Sequence, residues 1–237
     1  MRWGAVIAAA GSGTRFGRPK QLLPIAGAPM VAWSIEAFAT MDECDAIVVV
    51  TERRYLDEMR DVAAAIAGHK LAGVIEGGAS RQASVANGIE ALAARCDAVA
   101  IHDGARPLIQ PDDIRAVLAR VAPRRGAVLA APVVDTIKVV DASSGLVRST
   151  LDRSTLWAAQ TPQAGMVADF RDALWAARDH QLDLTDDVAL LEWRGCEVVI
   201  VPATAENFKV TYPPDRERAE AILTARAAQL VLERNAL

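Results

Sequence analysis

The chain has 237 residues, 52% hydrophobic and 24% charged, and a net charge of -4. That is ordinary globular composition, enough for one large domain or two small ones, and it lacks the basic footprint of a nucleic-acid partner. No apolar run approaches the roughly 20 residues of a membrane span, Met1-Arg2-Trp3 leads into a short strand with no cleavage-site pattern, and Cys44, Cys96 and Cys196 are too widely spaced for a metal site or disulfide frame, so a cytoplasmic protein with reduced thiols is expected.

Val6 to Ala10 is an apolar run of buried-strand length, and it breaks into Gly11-Ser12-Gly13-Thr14. Glycine takes positive φ at little cost, so such a loop can bring its backbone N–H groups close to a ligand. Arg15 and Lys20 follow, and backbone donors with fixed cations are what a polyphosphate needs. The spacing fits neither the P-loop nor the dinucleotide fingerprint: Gly17 comes one residue too late for each, and it is followed by Arg18 rather than Lys. Taken alone, this is either a phosphate loop of another kind or a Gly-rich turn with two solvated cations.

Ala46 to Val50 reads as a buried strand, Arg53 to Ala67 as an amphipathic helix, Leu71 to Ile75 as a strand and Gln82 to Ala94 as a helix. Ala98 to Ile101 is a strand, Pro111-Asp112-Asp113 opens a helix, and Ala127 to Ala131 is a strand again. Strands alternating with helices imply βαβ units and a parallel sheet. In such sheets ligands bind beyond the carboxyl ends of the strands. The loops at Gly11, at Gly77-Gly78 and at Asp103 each follow a strand, which points to one shared site.

After Pro132 the pattern changes. Asp135 to Val140 alternates polar and apolar, Ser143-Ser144-Gly145 is a turn cluster, and Leu146 to Leu151 alternates again. This predicts a β-hairpin over about 133–152, outside the parallel core, either a surface ribbon or an arm reaching a second subunit. Ala168 to Asp179 and Asp186 to Trp193 read as helices, Glu197 to Val201 as a strand and Asp215 to Glu233 as a long Ala-rich helix. With no linker or repeat, one domain over 1–237 carrying a protruding hairpin is the expectation.

The segments A-A-A-G-S-G-T-R-F-G-R-P-K-Q, G-G-A-S-R-Q-A-S-V, H-D-G-A-R-P, D-R-S-T-L-W-A-A-Q-T-P-Q, L-T-D-D-V and E-N-F-K-V-T, in this order, resemble the 2-C-methyl-D-erythritol 4-phosphate cytidylyltransferase family of the non-mevalonate isoprenoid route. The resemblance spans nearly the whole chain. It implies an α/β fold of nucleotidyltransferase type, with a Rossmann-like, mostly parallel sheet flanked by helices and a β-hairpin dimerisation arm. It implies transfer of CMP from CTP to methylerythritol phosphate, with Mg²⁺, in a cytoplasmic homodimer that binds neither nucleic acid nor membrane.

By that resemblance Gly11 and Gly13, with Arg15 and Lys20, hold the triphosphate and stabilise charge at the α-phosphate, and Ala9 and Ala10 contact the base through backbone. Gly77, Gly78 and Ser84 match the cytosine-reading loop, although Ser84 is placed equally well to cap a helix. Many family members carry Asp after the Gly pair; Ala79 stands here, so any contact of that side chain is lost or passes to Ser80 or backbone. Asp103 faces the second substrate or the metal, and Arg106 binds the sugar phosphate. Thr136 and Arg153, at the two ends of the hairpin, reach the partner subunit's site. Thr161, Thr185 and Lys209 match the remaining substrate contacts; read alone, the two threonines are loop residues, whereas the Lys209 ammonium suits a phosphate. His102 reads as a packing or orienting residue rather than a base. An anionic phosphate nucleophile needs no general base, which agrees with a chain that shows no Ser-His-Asp pattern and no metal-ligand cluster. Ribitol 5-phosphate cytidylyltransferase, another nucleotidyltransferase and a non-catalytic nucleotide-binding domain are the competing readings.

Overall fold

The computed structural model describes residues 1–11, 20–203 and 206–235. In chain order its elements are β1 (Trp3–Ala8), β2 (Pro24–Ile25), β3 (Ala28–Pro29), α1 (Met30–Ala39), β4 (Cys44–Thr51), α2 (Leu56–Ala67), β5 (Leu71–Glu76), α3 (Arg81–Leu92) and β6 (Ala98–Asp103). There follow α4 (Pro111–Leu118), β7 (Arg125–Pro132), β8 (Lys138–Val140), β9 (Val147–Thr150), β10 (Trp157–Met166), α5 (Val167–Asp179), α6 (Val188–Trp193), β11 (Glu197–Pro202) and α7 (Pro213–Asn235).

Seven strands form one sheet in the order β11-β7-β10-β6-β1-β4-β5. The pairs β6-β1, β1-β4, β4-β5 and β11-β7 are parallel, and β10 runs antiparallel to both neighbours. The expected α/β sheet, mostly parallel and flanked by helices, is thus the observed one. Its parallel strands read as unbroken apolar runs because both faces are covered. Ile7, Ile47 and Val49 pack on one face with Ile35 and Phe38 of α1, Met59 of α2 and Val117 of α4. Val6, Val48 and Val50 pack on the other with Ile89 of α3, Phe170 of α5 and Leu191 of α6. Phe38 and Phe170 are fully buried, one per face, and truncating either to Ala costs about 3–5 kcal/mol. A smaller cluster, including Ile25, Met30, Leu108, Val210 and Leu223, fixes α7 against the loops near β2 and β6.

The hairpin is present: β8 and β9 pair antiparallel, apart from the main sheet. Its side chains Val134, Val140, Leu146 and Val147 are exposed. Thr161 is not in a loop, as its isolated reading suggested, but in β10, where it is buried. The pairing of β10 with β7 shifts register between Ala159 and Gln163. Pro162, which has no N–H to give a ladder, sits inside that irregular stretch.

Candidate active site

Several residues meet at the carboxyl edge of the parallel strands. Just past β1, the Ala9 N–H donates to Val50 O at 2.8 Å, and the Gly104 N–H donates to Ala8 O at 3.0 Å. Beyond β5, the Gly77 N–H donates to Thr51 O at 2.8 Å. A Cβ on Gly77 would lie 2.7 Å from Ala10 Cβ, and one on Gly78 would lie 2.5 Å from Ala83 Cβ. Only glycine lets this loop close on Ala10 and on the first turn of α3. Ser80 is the N-cap of α3, its Oγ accepting from the Ala83 N–H. Ser84 is buried; its hydroxyl accepts from the Gly78 N–H at 3.0 Å and donates to Ser80 O at 2.9 Å. These bonds give Ser84 a place in holding the Gly77-Gly78 loop against the helix start.

Asp103, the last residue of β6, is the hub. Its Oδ2 lies 2.8 Å from Lys209 Nζ and its Oδ1 accepts from Arg81 at 3.2 Å, with Arg106 Nε at 3.8 Å. Burial works to raise the Asp103 carboxyl, but Lys209, Arg81 and Arg106 overcome it and hold it well below the usual carboxylate range. Arg81 also grips Asp187 with two parallel bonds of 2.7 and 2.8 Å. Burial raises the Asp187 carboxyl, and Arg81 opposes that rise.

His102 braces the turn behind the hub. Arg106 O can only accept, so His102 Nε2 carries the proton of the neutral ring and donates to it at 3.1 Å. Nδ1 then accepts from the Thr161 hydroxyl at 3.0 Å, while Thr161 Oγ1 accepts from the Asp103 N–H at 3.1 Å. Burial pushes the imidazole down to about 4, so the ring is neutral at pH 7. With both nitrogens engaged, His102 orients Asp103 and Arg106 and has no capacity left to act as a base.

The segment after β11 closes the site. Asn207 donates to Gln160 Oε1 and to Thr161 O, each at 2.9 Å, while Arg106 donates to Asn207 O at 2.8 Å. The Val210 N–H donates to Ala105 O at 2.9 Å, and Lys20 Nζ donates to Val210 O at 2.7 Å. Arg81, Arg106 and Lys209 thus converge on Asp103, and Lys20 is held to the residue next to Lys209, a set of cations suited to a polyanionic ligand. Both Asp103 oxygens are taken by cations. Among the described residues, no group of three or more His, Cys, Asp or Glu is placed to hold a metal ion.

The structure therefore brings together Ala9, Ala10, Gly11, Gly77, Gly78, Ser84, Lys20, Asp103, Arg106, Thr161 and Lys209 along one sheet edge. Gly13 and Arg15 lie outside the described residues. Thr185 is exposed, on the loop that Arg81 reaches through Asp187. Thr136 and Arg153 are exposed at the root of the hairpin, where Arg153 donates to Val134 O at 2.8 Å. Among the described residues, no hydrogen bond or ion pair joins either to the Asp103 cluster. Arg81, Asp187, Gln160, Gln163 and Asn207 received no role from the sequence. Arg81 and Asn207 contact a residue that did, Asp187, Gln160 and Gln163 join them through hydrogen bonds, and all five lie within the quoted segments.

The chain matches the family described as 2-C-methyl-D-erythritol 4-phosphate cytidylyltransferase over residues 4–225. It is 39% identical to the enzyme of that name from Halalkalibacterium halodurans, over 95% of this chain and 99% of the relative. The corresponding figures for the protein of that name from Synechococcus are 41%, 93% and 97%. The crystal structure of 2-C-methyl-D-erythritol 4-phosphate cytidylyltransferase from Thermus thermophilus superimposes with a TM-score of 0.74 at 30% identity, covering 92% of this chain and 98% of that one. The chain belongs to the 2-C-methyl-D-erythritol 4-phosphate cytidylyltransferase family and is a nucleotidyltransferase.

Proposed function

We propose that this chain, as one domain over 1–237, transfers CMP from CTP to 2-C-methyl-D-erythritol 4-phosphate for isoprenoid precursor synthesis. The observation that carries the reading is the convergence of Lys209, Arg106 and Arg81 on Asp103, beside Lys20, in a chain with this family's match. The acceptor's phosphate oxygen, already anionic, attacks the α-phosphorus of CTP in line. The new P–O bond forms as the bond to the β-phosphate oxygen breaks, and pyrophosphate leaves with that electron pair. Lys20, Arg15 and Lys209 offset the charge gathering on the α-phosphate and the leaving group, so catalysis is positioning plus preorganised charge. Arg106, Thr161 and Thr185 border the acceptor in this reading. Ala9, Ala10, Gly11, Gly13, Gly77, Gly78 and Ser84 shape the CTP side.

Magnesium in this reading enters with the triphosphate, held by phosphate oxygens and water, its usual habit. Asp103, occupied by Arg81 and Lys209, does not fit a free ligand position, and no step depends on it as one.

The hairpin over about 133–152 serves as a dimer arm. Val134, Val140, Leu146 and Val147 are exposed on an isolated two-stranded ribbon, an arrangement that is marginal in water without a cover. A second copy about a two-fold axis supplies that cover and lets Thr136 and Arg153 enter the partner's site. Free, buried Cys44, Cys96 and Cys196 suit the reducing cytoplasm. Pyrophosphate release, measured with four nucleotides against methylerythritol phosphate and ribitol 5-phosphate, tests the reading. The expected result is turnover with CTP and methylerythritol phosphate and little with ATP or GTP.

A further inference from the structure

Three consecutive residues at the start of α3, directly after the Gly77-Gly78 loop, grip a distant loop. Gln82 Nε2 donates to Leu182 O at 2.9 Å, and Gln82 Oε1 accepts from the Leu184 N–H at 3.0 Å. Ser80 Oγ lies 3.4 Å from Asp183 Oδ1. Arg81 holds both oxygens of Asp187 at 2.7 and 2.8 Å and also reaches Asp103 at 3.2 Å. The Asp187 side chain is 2% exposed. Asp103 has three cations around it, whereas the cation hydrogen-bonded to Asp187 is Arg81 alone among the described residues. Behind Asp187, Gln163 Oε1 accepts from the Asp187 and Val188 N–H groups at 2.8 and 2.9 Å.

A buried carboxylate that loses its cation is left uncompensated and must move toward water or pick up a proton. The forked, planar guanidinium satisfies both Asp187 oxygens and still reaches Asp103, a geometry that an ammonium cannot copy. We propose that Arg81 is a positioning residue that ties the acceptor loop at 182–187, which carries Thr185, to the nucleotide loop at Gly77-Gly78 and to Asp103. Thr185 lies between the Gln82 and Arg81 anchor points, so its location is set from the nucleotide side. The proposal rests on the reading of that loop as the acceptor side, and its test has one arm independent of chemistry.

That arm is hydrogen exchange in the substrate-free protein. In Arg81→Lys, which keeps the charge and loses the fork, the amides of Leu184, Asp187 and Val188 are expected to exchange at least about tenfold faster, as local opening becomes easier. Amides of the sheet core keep their wild-type protection. The second arm is kinetic: KM for the acceptor rises about 5- to 150-fold, the usual range of a coupling between sites, while KM for CTP stays within about threefold. Asp187→Asn gives the same pattern, and the double variant is no worse than either single one. If Arg81→Lys fails to fold, the double variant Arg81→Gln/Asp187→Asn removes both charges together and carries the same measurements. Unchanged exchange at the three amides in a folded variant overturns the proposal whatever polyol phosphate the enzyme accepts. Equal rises in both KM values, or additive effects of the two single variants, overturn it as well.

Discussion

Lys209 and Asp103, 106 residues apart in the chain, meet at 2.8 Å, and the lysine side chain is the more open of the two, 41% exposed against 10%. The buried carboxylate fixes the ammonium at one point, and the exposed side of the ammonium faces outward, where an arriving phosphate can share it. Lys209→Ala is expected to lower turnover by about two to three powers of ten, as for loss of one preorganised charge contact. Asp103 keeps Arg81 and Arg106 when Lys209 is removed, so the buried carboxylate stays compensated and the melting temperature should move little. A folded Lys209→Ala enzyme with near-normal kcat removes Lys209 from the mechanism.

Lys20 is held from the same segment, through Val210 O at 2.7 Å. Lys20→Ala should likewise lose about two to three powers of ten in kcat while folding normally. Parallel kcat and melting measurements decide it: a loss of stability that accounts for the loss of rate assigns Lys20 a structural role instead.

Gly78→Ala adds a Cβ 2.5 Å from Ala83 Cβ and 3.0 Å from the Ala83 backbone carbon. The loop or the first turn of α3 must shift, at a cost of about 1–3 kcal/mol. That displacement falls on the nucleotide side. KM for CTP should rise about tenfold or more, with a smaller change for the acceptor. Unchanged CTP affinity separates this loop from the nucleotide site.

Acid sensitivity follows from His102. Its folded value of about 4 lies below the ordinary 6.5, so the unfolded chain takes up the proton first as pH falls. Above about 6.5 both states are neutral and His102 adds no pH dependence. Between about 6.5 and 4, stability falls with pH by up to about 3 kcal/mol from this group. Asp103, held low, contributes stability above the ordinary carboxylate range that is lost as pH falls through and below it. Urea unfolding at a series of pH values should show a shallower slope between 6.5 and 4 for His102→Asn than for wild type. The same slope in both proteins contradicts the buried neutral imidazole.

The parallel strands were legible because being covered on both faces demands unbroken apolar runs such as Ile47 to Val50. β10 was not, since W-A-A-Q-T-P-Q breaks such a run with polar residues and a proline. Those side chains point into hydrogen-bond networks around Asn207, Asp187 and His102 rather than into apolar contacts. α1 escaped for the opposite reason: buried at seven of its ten positions, it shows little polar face. Asp103, Arg106 and Lys209 stood out through their motifs. Arg81 and Asp187, also 106 residues apart, stood in the same motifs, but a pairing across such a separation leaves no periodic trace.

The dimer arm is tested by complementation. Arg153, exposed at the foot of the hairpin, serves the partner's site in the proposed dimer, whereas Lys20 serves its own. Arg153→Ala and Lys20→Ala proteins, mixed under conditions of subunit exchange, give heterodimers with one doubly damaged and one intact site. Activity should return to about a quarter of wild type per subunit, if half the dimers are mixed. No recovery despite proven exchange places Arg153 in its own chain's site or in none.

CMP transfer itself can be followed through the phosphorus atoms. The direct measurement is ³¹P NMR of the products formed from CTP and 2-C-methyl-D-erythritol 4-phosphate with Mg²⁺, joined to kcat/KM for that acceptor and for ribitol 5-phosphate. The result expected of this enzyme is a new diphosphate ester whose two phosphorus atoms couple, appearing in step with pyrophosphate, and a higher kcat/KM for methylerythritol phosphate. Absence of that ester, or a higher kcat/KM for ribitol 5-phosphate, would contradict it.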